Sequence, residues 1–179
     1  MSDHRTNRAY LSLGSNIEPE KNLPAAVREL AALGRVLTLS SVWESAPFPA
    51  PDAPVRVAGN AGPSFLNAAV LLETELSAPE IYDRVISVIE RKLGRVRDPR
   101  NKNAPRTIDI DLSLFNNKVL EFAGRRVPDP DILKRPFVAV PLAELDPDYV
   151  HPIECRRLAE IAMTWKSNDL RQRADVKLQ

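Results

Sequence analysis

The side chains best suited to chemistry fall in one stretch, Pro105-Arg106-Thr107-Ile108-Asp109-Ile110-Asp111-Leu112-Ser113-Leu114-Phe115. Ile108, Ile110, Leu112 and Leu114 alternate with Thr107, Asp109, Asp111 and Ser113, the period-two pattern of a half-buried strand. With the apolar set facing a core, Asp109 and Asp111 share the opposite face, roughly 6–7 Å apart. Two carboxylates that close repel unless a cation lies between or over them. Magnesium takes one or two carboxylates together with phosphate oxygens and waters, and Arg106 adds a planar donor suited to phosphate. The stretch reads as a magnesium–nucleotide site. An ordinary solvated sheet face is the plainer reading of an isolated Asp-x-Asp. The preceding Arg95-Val96-Arg97-Asp98-Pro99-Arg100-Asn101-Lys102-Asn103 favours the site. A basic loop beside paired acids lets metal and arginines share the charge of a triphosphate.

These groups need a scaffold. Residues 8–13 alternate as a first strand and end at Gly14-Ser15-Asn16, a turn where glycine lets backbone approach a ligand. Asn22 is a candidate cap for a helix carrying Leu23, Val27 and Leu30 on one stripe, with Gly34 as its stop. A second strand is expected over residues 36–44 and a central third over 65–72. Residues 45–64 form a long aperiodic loop, either functional or a tolerated insertion. Ser77-Ala78-Pro79-Glu80 has the form of a capping box opening a helix that buries Ile81, Val85, Val88 and Ile89 and stops at Gly94. Glu90, near that helix's C-terminal end, is weakly disfavoured by the macrodipole and reads locally as an exposed charge. Asn116-Asn117 is expected to turn the acidic strand into a short hairpin partner at 118–120. A last helix is expected around Leu158, Ile161 and Trp165, and residues 170–179 as a frayed polar tail.

Composition narrows the function classes. With 179 residues and 44% hydrophobic content, the chain is large enough for one domain with a real core. A net charge of +1 argues against bulk binding to nucleic acid or membrane. The single cysteine, Cys155, rules out an internal disulfide and suits a reducing, cytoplasmic compartment. No apolar run is long enough for a bilayer.

Five blocks stand in a characteristic order: Tyr10-Leu11-Ser12-Leu13-Gly14-Ser15-Asn16; Phe65-Leu66-Asn67-Ala68-Ala69-Val70; Gly94-Arg95-Val96-Arg97; Pro105-Arg106-Thr107-Ile108-Asp109-Ile110-Asp111-Leu112; and Arg135-Pro136-Phe137 with Pro141-Leu142. In these blocks residues 10–147 resemble the 6-hydroxymethyl-7,8-dihydropterin pyrophosphokinases of folate biosynthesis. The resemblance implies an α+β, ferredoxin-like fold, a central antiparallel sheet flanked by helices, with long mobile catalytic loops. It implies one domain over residues 1–179, with a C-terminal helix and tail after 150. The implied reaction transfers a pyrophosphoryl group from ATP, the co-substrate, to a hydroxymethyl dihydropterin. Two magnesium ions are implied at Asp109 and Asp111. Arg95 and Arg106 would neutralise the transferred group, and Glu90, Arg97 and Arg135 would serve the nucleotide. Ser45, Phe48, Phe65, Asn67 and Phe137 would meet the pterin, with Phe65 and Phe137 stacking on its ring and Asn67 reading its edge. The implied partners are these small molecules alone, with the chain a monomer or weak homodimer.

Three positions depart from the family pattern. Asp129 stands where a histidine is frequent, Asn103 where a tryptophan is frequent, and Phe65 where a tyrosine is frequent. Asp129 and Asn103 motivate an alternative, a non-catalytic pterin- or nucleotide-binding module. A phosphohydrolase using the same aspartates is a third reading.

Overall fold

The structure is a computed structural model that describes residues 6–46, 63–97, 104–165 and 170–179. Its elements are β1 (Asn7–Ser15), α1 (Pro19–Ala31), β2 (Arg35–Leu39), β3 (Trp43–Ser45), β4 (Phe65–Thr74), α2 (Ala78–Glu80), a π-helical segment (Ile81–Ile86), α3 (Ser87–Lys92), β5 (Asp109–Phe115), β6 (Leu120–Phe122), β7 (Arg125–Val127), a 3-10 turn (Pro130–Leu133), α4 (Pro136–Leu145), α5 (Leu158–Ala162) and β8 (Arg171–Gln172). The strands make an antiparallel sheet in the order β5-β1-β4-β3-β8, with β2 also on β4. None of the described helices is long and apolar enough to cross a membrane.

Both faces of the sheet are covered. On one face, Leu11, Leu13, Val70, Leu72, Ile110 and Leu112 meet Leu23, Val27 and Leu30 of α1 and Ile81, Val85 and Ile89 from the second helical stretch. On the other, Tyr10, Ala69, Leu71 and Leu114 meet Val138, Ala139 and Leu142 of α4 and Leu158 and Ile161 of α5. The Tyr10 hydroxyl donates to Asp146 Oδ2 (2.8 Å) at the end of α4, pinning that cover to β1.

Several elements differ from their sequence expectation. Leu114 does not share a core with Ile108, Ile110 and Leu112. Leu11 pairs with Leu112 but Tyr10 with Leu114, so Ser113 is an extra residue that reverses the alternation. Asn22 does not cap α1; the helix starts at Pro19, and Asn22 Nδ2 donates back to the Ile17 carbonyl (2.6 Å). The expected strand over 36–44 is two strands interrupted at Ser40, which still exchanges bonds with Ala69: Ser40 N to Ala69 O (3.0 Å) and Ala69 N to Ser40 Oγ (2.8 Å). The capping box is present, Ser77 N donating to Glu80 Oε2 (3.0 Å), but a π-helical segment interrupts the helix it opens, and Val88 is exposed. Gly94 terminates that stretch in the left-handed region at φ +74°. The segment after Asn116-Asn117 pairs with β7, not with β5. The tail is not frayed: β8 pairs with β3, and Val176 and Leu178 are buried in the first core.

Candidate active site

The register assembles the site at the end of the second sheet face that α4 and α5 leave free among the described residues. Ser12 stands opposite Asp111 and Ala69, and Gly14 opposite Asp109 and Asn67. Facing pairs on neighbouring strands project to the same side, so Asn67, Asp109 and Asp111 share a floor with Gly14 at its centre. A Cβ at Gly14 would lie 3.5 Å from Asn67 Oδ1 and 4.0 Å from Asp109 Cβ, in ordinary contact with both, so the glycine leaves a methyl-sized space between them. Across β4, Asn67 Nδ2 donates to Ser45 Oγ (3.0 Å) and the Trp43 carbonyl (3.2 Å), and Ser45 pairs with Phe65.

A chain of charges organises the acidic side. Glu90 is buried rather than exposed, its side chain only 4% accessible. Glu90 Oε1 accepts from Arg95 (2.7 Å) and from the Ile110 amide (3.0 Å), and Oε2 accepts from Arg97 (2.7 Å). Arg95 donates also to the Ile108 carbonyl (3.0 Å) and to Asp109 Oδ1. Arg106 holds the other oxygen of Asp109. Arg106 is fixed in turn by the β1 turn: its amide donates to Asn16 Oδ1 (2.7 Å), and its carbonyl accepts from Asn16 N (3.1 Å) and Ile17 N (3.2 Å). Its guanidinium lies 5.8 Å from the Phe65 ring centroid.

The two aspartates therefore differ. Burial works against a charge on Asp109, but Arg95 and Arg106 outweigh it and hold its pKa below the usual carboxylate value. Among the described residues Asp111 has no comparable partner; the Arg125 guanidinium is 4.0 Å away. Partial burial, followed by the charges of Asp109, Asp129 and Glu90, pushes its pKa up to about 8. Asp111 also lines a cavity of about 420 Å³ together with Tyr82, Arg125, Asp129, Asp131 and Lys134.

Such a carboxylate fits a divalent cation. No cluster of three acidic, histidine or cysteine side chains able to hold a metal occurs among the described residues. Two carboxylates with phosphate oxygens and waters as the remaining ligands is the arrangement magnesium accepts.

Other expected residues lie around this floor. Arg135 Nε donates to Asp131 Oδ2 (3.3 Å), and its guanidinium sits 5.8 Å from the Phe137 ring centroid at the start of α4. Phe48 and Asn103 lie outside the described residues, as do most of the 45–64 loop and the end of the basic loop. Asp129 is turned to a structural task, its Oδ1 accepting from Asp131 N (2.9 Å) to cap the 3-10 turn. Burial raises its pKa. Asn16, Arg125, Tyr82 and Lys134 were not expected at the site from the sequence. Asn16 carries a signal in its turn; the others reach the Asp111 cavity from separate elements, Arg125 from β7, Tyr82 from the π-helical segment and Lys134 from the end of the 3-10 turn.

Residues 10–147 match the family model of 7,8-dihydro-6-hydroxymethylpterin-pyrophosphokinase. The chain belongs to this family. A Synechocystis pyrophosphokinase, named for 2-amino-4-hydroxy-6-hydroxymethyldihydropteridine, is 39% identical over 147 residues, covering 80% of this chain and 69% of the relative. The enzyme of the same name from Pseudomonas aeruginosa is 34% identical over 157 residues, covering 86% of this chain and 89% of the relative. The crystal structure of a Plasmodium falciparum HPPK-DHPS with pteroate superposes at a TM-score of 0.69 with 13% identity. That superposition covers 96% of this chain and 47% of the larger protein, so the chain spans under half of it and the likeness concerns the fold. All the residues of the charge chain lie within the part matched to the pyrophosphokinase family.

Proposed function

We propose that this chain transfers the pyrophosphoryl group of ATP to the hydroxymethyl oxygen of 6-hydroxymethyl-7,8-dihydropterin, releasing AMP and the pterin diphosphate for folate synthesis. The observation that carries this reading is the family match over residues 10–147. A bond forms between the hydroxymethyl oxygen and the β-phosphorus, the bond from that phosphorus to the α-bridging oxygen breaks, and the hydroxyl proton is released.

Positioning and charge neutralisation supply most of the acceleration in such transfers. Asp109 and Asp111 would hold magnesium, two ions on this reading, which when bound screens the phosphate charge. Arg95 and Arg106 meet the negative charge of the group in flight. Glu90 fixes Arg95 from a buried seat and so serves as a positioning residue, while Arg97 and Arg135 reach the nucleotide. Phe65 and Phe137 offer two stacking faces, with Asn67, Ser45 and Phe48 along the pterin's edge. One domain of ferredoxin-like topology carries this machinery, as a monomer or weak homodimer in the cytoplasm.

The test is AMP release from ATP, magnesium and the dihydropterin. Turnover that requires the pterin is the expected result. Phosphate release without pterin would indicate a hydrolase, and binding of both ligands without AMP would indicate the non-catalytic module, which the family match does not favour.

A further inference from the structure

We propose that the C-terminal segment, residues 170–179, is a strap that orients the Asn67 amide through β3. The family match ends at residue 147 and assigns this segment nothing. The functional half of the inference rests on the reading that Asn67 meets the pterin.

β3 is three residues long, too short to hold its place by pairing on one side alone. Its inner edge pairs with β4, and its outer edge is occupied by β8, Trp43 facing Gln172 and Glu44 facing Arg171. Arg173 continues the contact, its amide donating to the Val42 carbonyl (2.8 Å). Its side chain, 19% accessible, reaches Asp175 at 2.8 Å, Glu20 of α1 at 3.4 Å and Glu44 of β3 at 3.6 Å. Gln172 Nε2 donates to Ser41 Oγ (2.8 Å). From α4, Glu144 accepts from Ser41 N (2.6 Å) and Trp43 Nε1 (2.8 Å). Val176 and Leu178 anchor the end of the strap in the first core.

What β3 does with this fixity is hold an amide. The Asn67 amide nitrogen gives its hydrogens to Ser45 Oγ and the Trp43 carbonyl, both on β3. That leaves Oδ1 beside Gly14, 3.5 Å from where a Cβ on that glycine would stand, as the acceptor that a ligand on the floor would meet. If β3 moves, both acceptors move, and the amide is free to turn its donors to the floor instead. Arg173 and Gln172 are therefore positioning residues for ligand recognition. A tail that merely added stability would affect every step alike.

The experiment uses the full chain with Arg173→Gln, Arg173→Lys and Gln172→Ala. Side-chain amide resonances of Asn67, assigned by their loss in Asn67→Asp, are followed by 15N NMR without ligand. Both Arg173→Gln and Gln172→Ala are expected to shift or broaden that pair. In turnover, Arg173→Gln is expected to raise the KM for pterin about tenfold, as disturbance of one good polar contact does. The KM for ATP and kcat stay within about twofold, and Arg173→Lys recovers part of the loss because a single ammonium can still pair with Glu44. An unchanged Asn67 pair in both variants, or equal rises in the two KM values, overturns the strap. Gln172→Ala, which loses a single bond, carries the test where Arg173→Gln fails to fold. An inactive parent chain would defeat the proposed function, yet the resonances would still decide the orientation of the amide.

Discussion

The two ends of one sheet face make opposite use of the same strands. At the covered end, Tyr10, Ala69, Leu71 and Leu114 are sealed beneath α4 and α5. At the open end, Ser12, Gly14, Asn67, Asp109 and Asp111 continue on the same side of β1, β4 and β5. The backbone pairing is continuous between them, so the strands alone do not decide which end becomes a site. The side chains and their cover do: apolar groups draw a helix down, and two carboxylates cannot be sealed without partners. A rigid packed end thus supports a polar end whose groups must stay reachable.

The sharpest way to break this comparison is to remove the acids. Asp109→Ala and Asp111→Ala should each lower AMP release by about 10³-fold or more, the scale lost with a preorganised electrostatic group, while circular dichroism stays native. Turnover within tenfold of the parent would remove both from the chemistry. At the covered end, Leu114→Ala should leave both KM values unchanged but destabilise the fold by about 3 kcal/mol, read in denaturant unfolding. A smaller loss, about 1 kcal/mol, is expected for Tyr10→Phe, which deletes the bond to Asp146 and spares activity.

The finest probe is pH. Because the folded protein holds the Asp111 carboxyl at a pKa of about 8, above its unfolded value, the stabilisation from its bound proton is full in acid and lost as pH rises through about 8. In metal-free buffer, Asp111→Asn should therefore melt progressively higher than the parent as pH rises from about 4 to about 8, with no further change above that, by a few degrees for a partly exposed carboxyl. Magnesium with ATP should bind more tightly across the same range and release a proton, seen as a buffer-dependent heat.

Much of this is legible in the sequence because local pattern and global role agree. β1, β4 and β5 show in the sequence through long apolar or alternating runs, and Gly94 marks a helix end through its chemistry. The pairing of Asp109 with Asp111 follows from a two-residue spacing alone. What was not legible depends on partners distant in the chain. Leu114 faces the wrong way for its pattern because Ser113 is inserted against β1, a matter of register. Glu90 reads as a surface charge until Arg95, Arg97 and the Ile110 amide surround it. The tail looked frayed because Val176 and Leu178 are few and separated, and only the edge of β3 gives them a reason to dock.

The clasp of Arg95 and Arg106 on Asp109 has a consequence for the order of arrival. A bare divalent ion approaching Asp109 would have to displace two guanidinium groups, of which Arg95 keeps Glu90 as a partner. A triphosphate that brings its own metal would offer those arginines replacement oxygens in the same event. Asp109 is thereby guarded by the same two arginines that a phosphate would engage, whereas Asp111 is not.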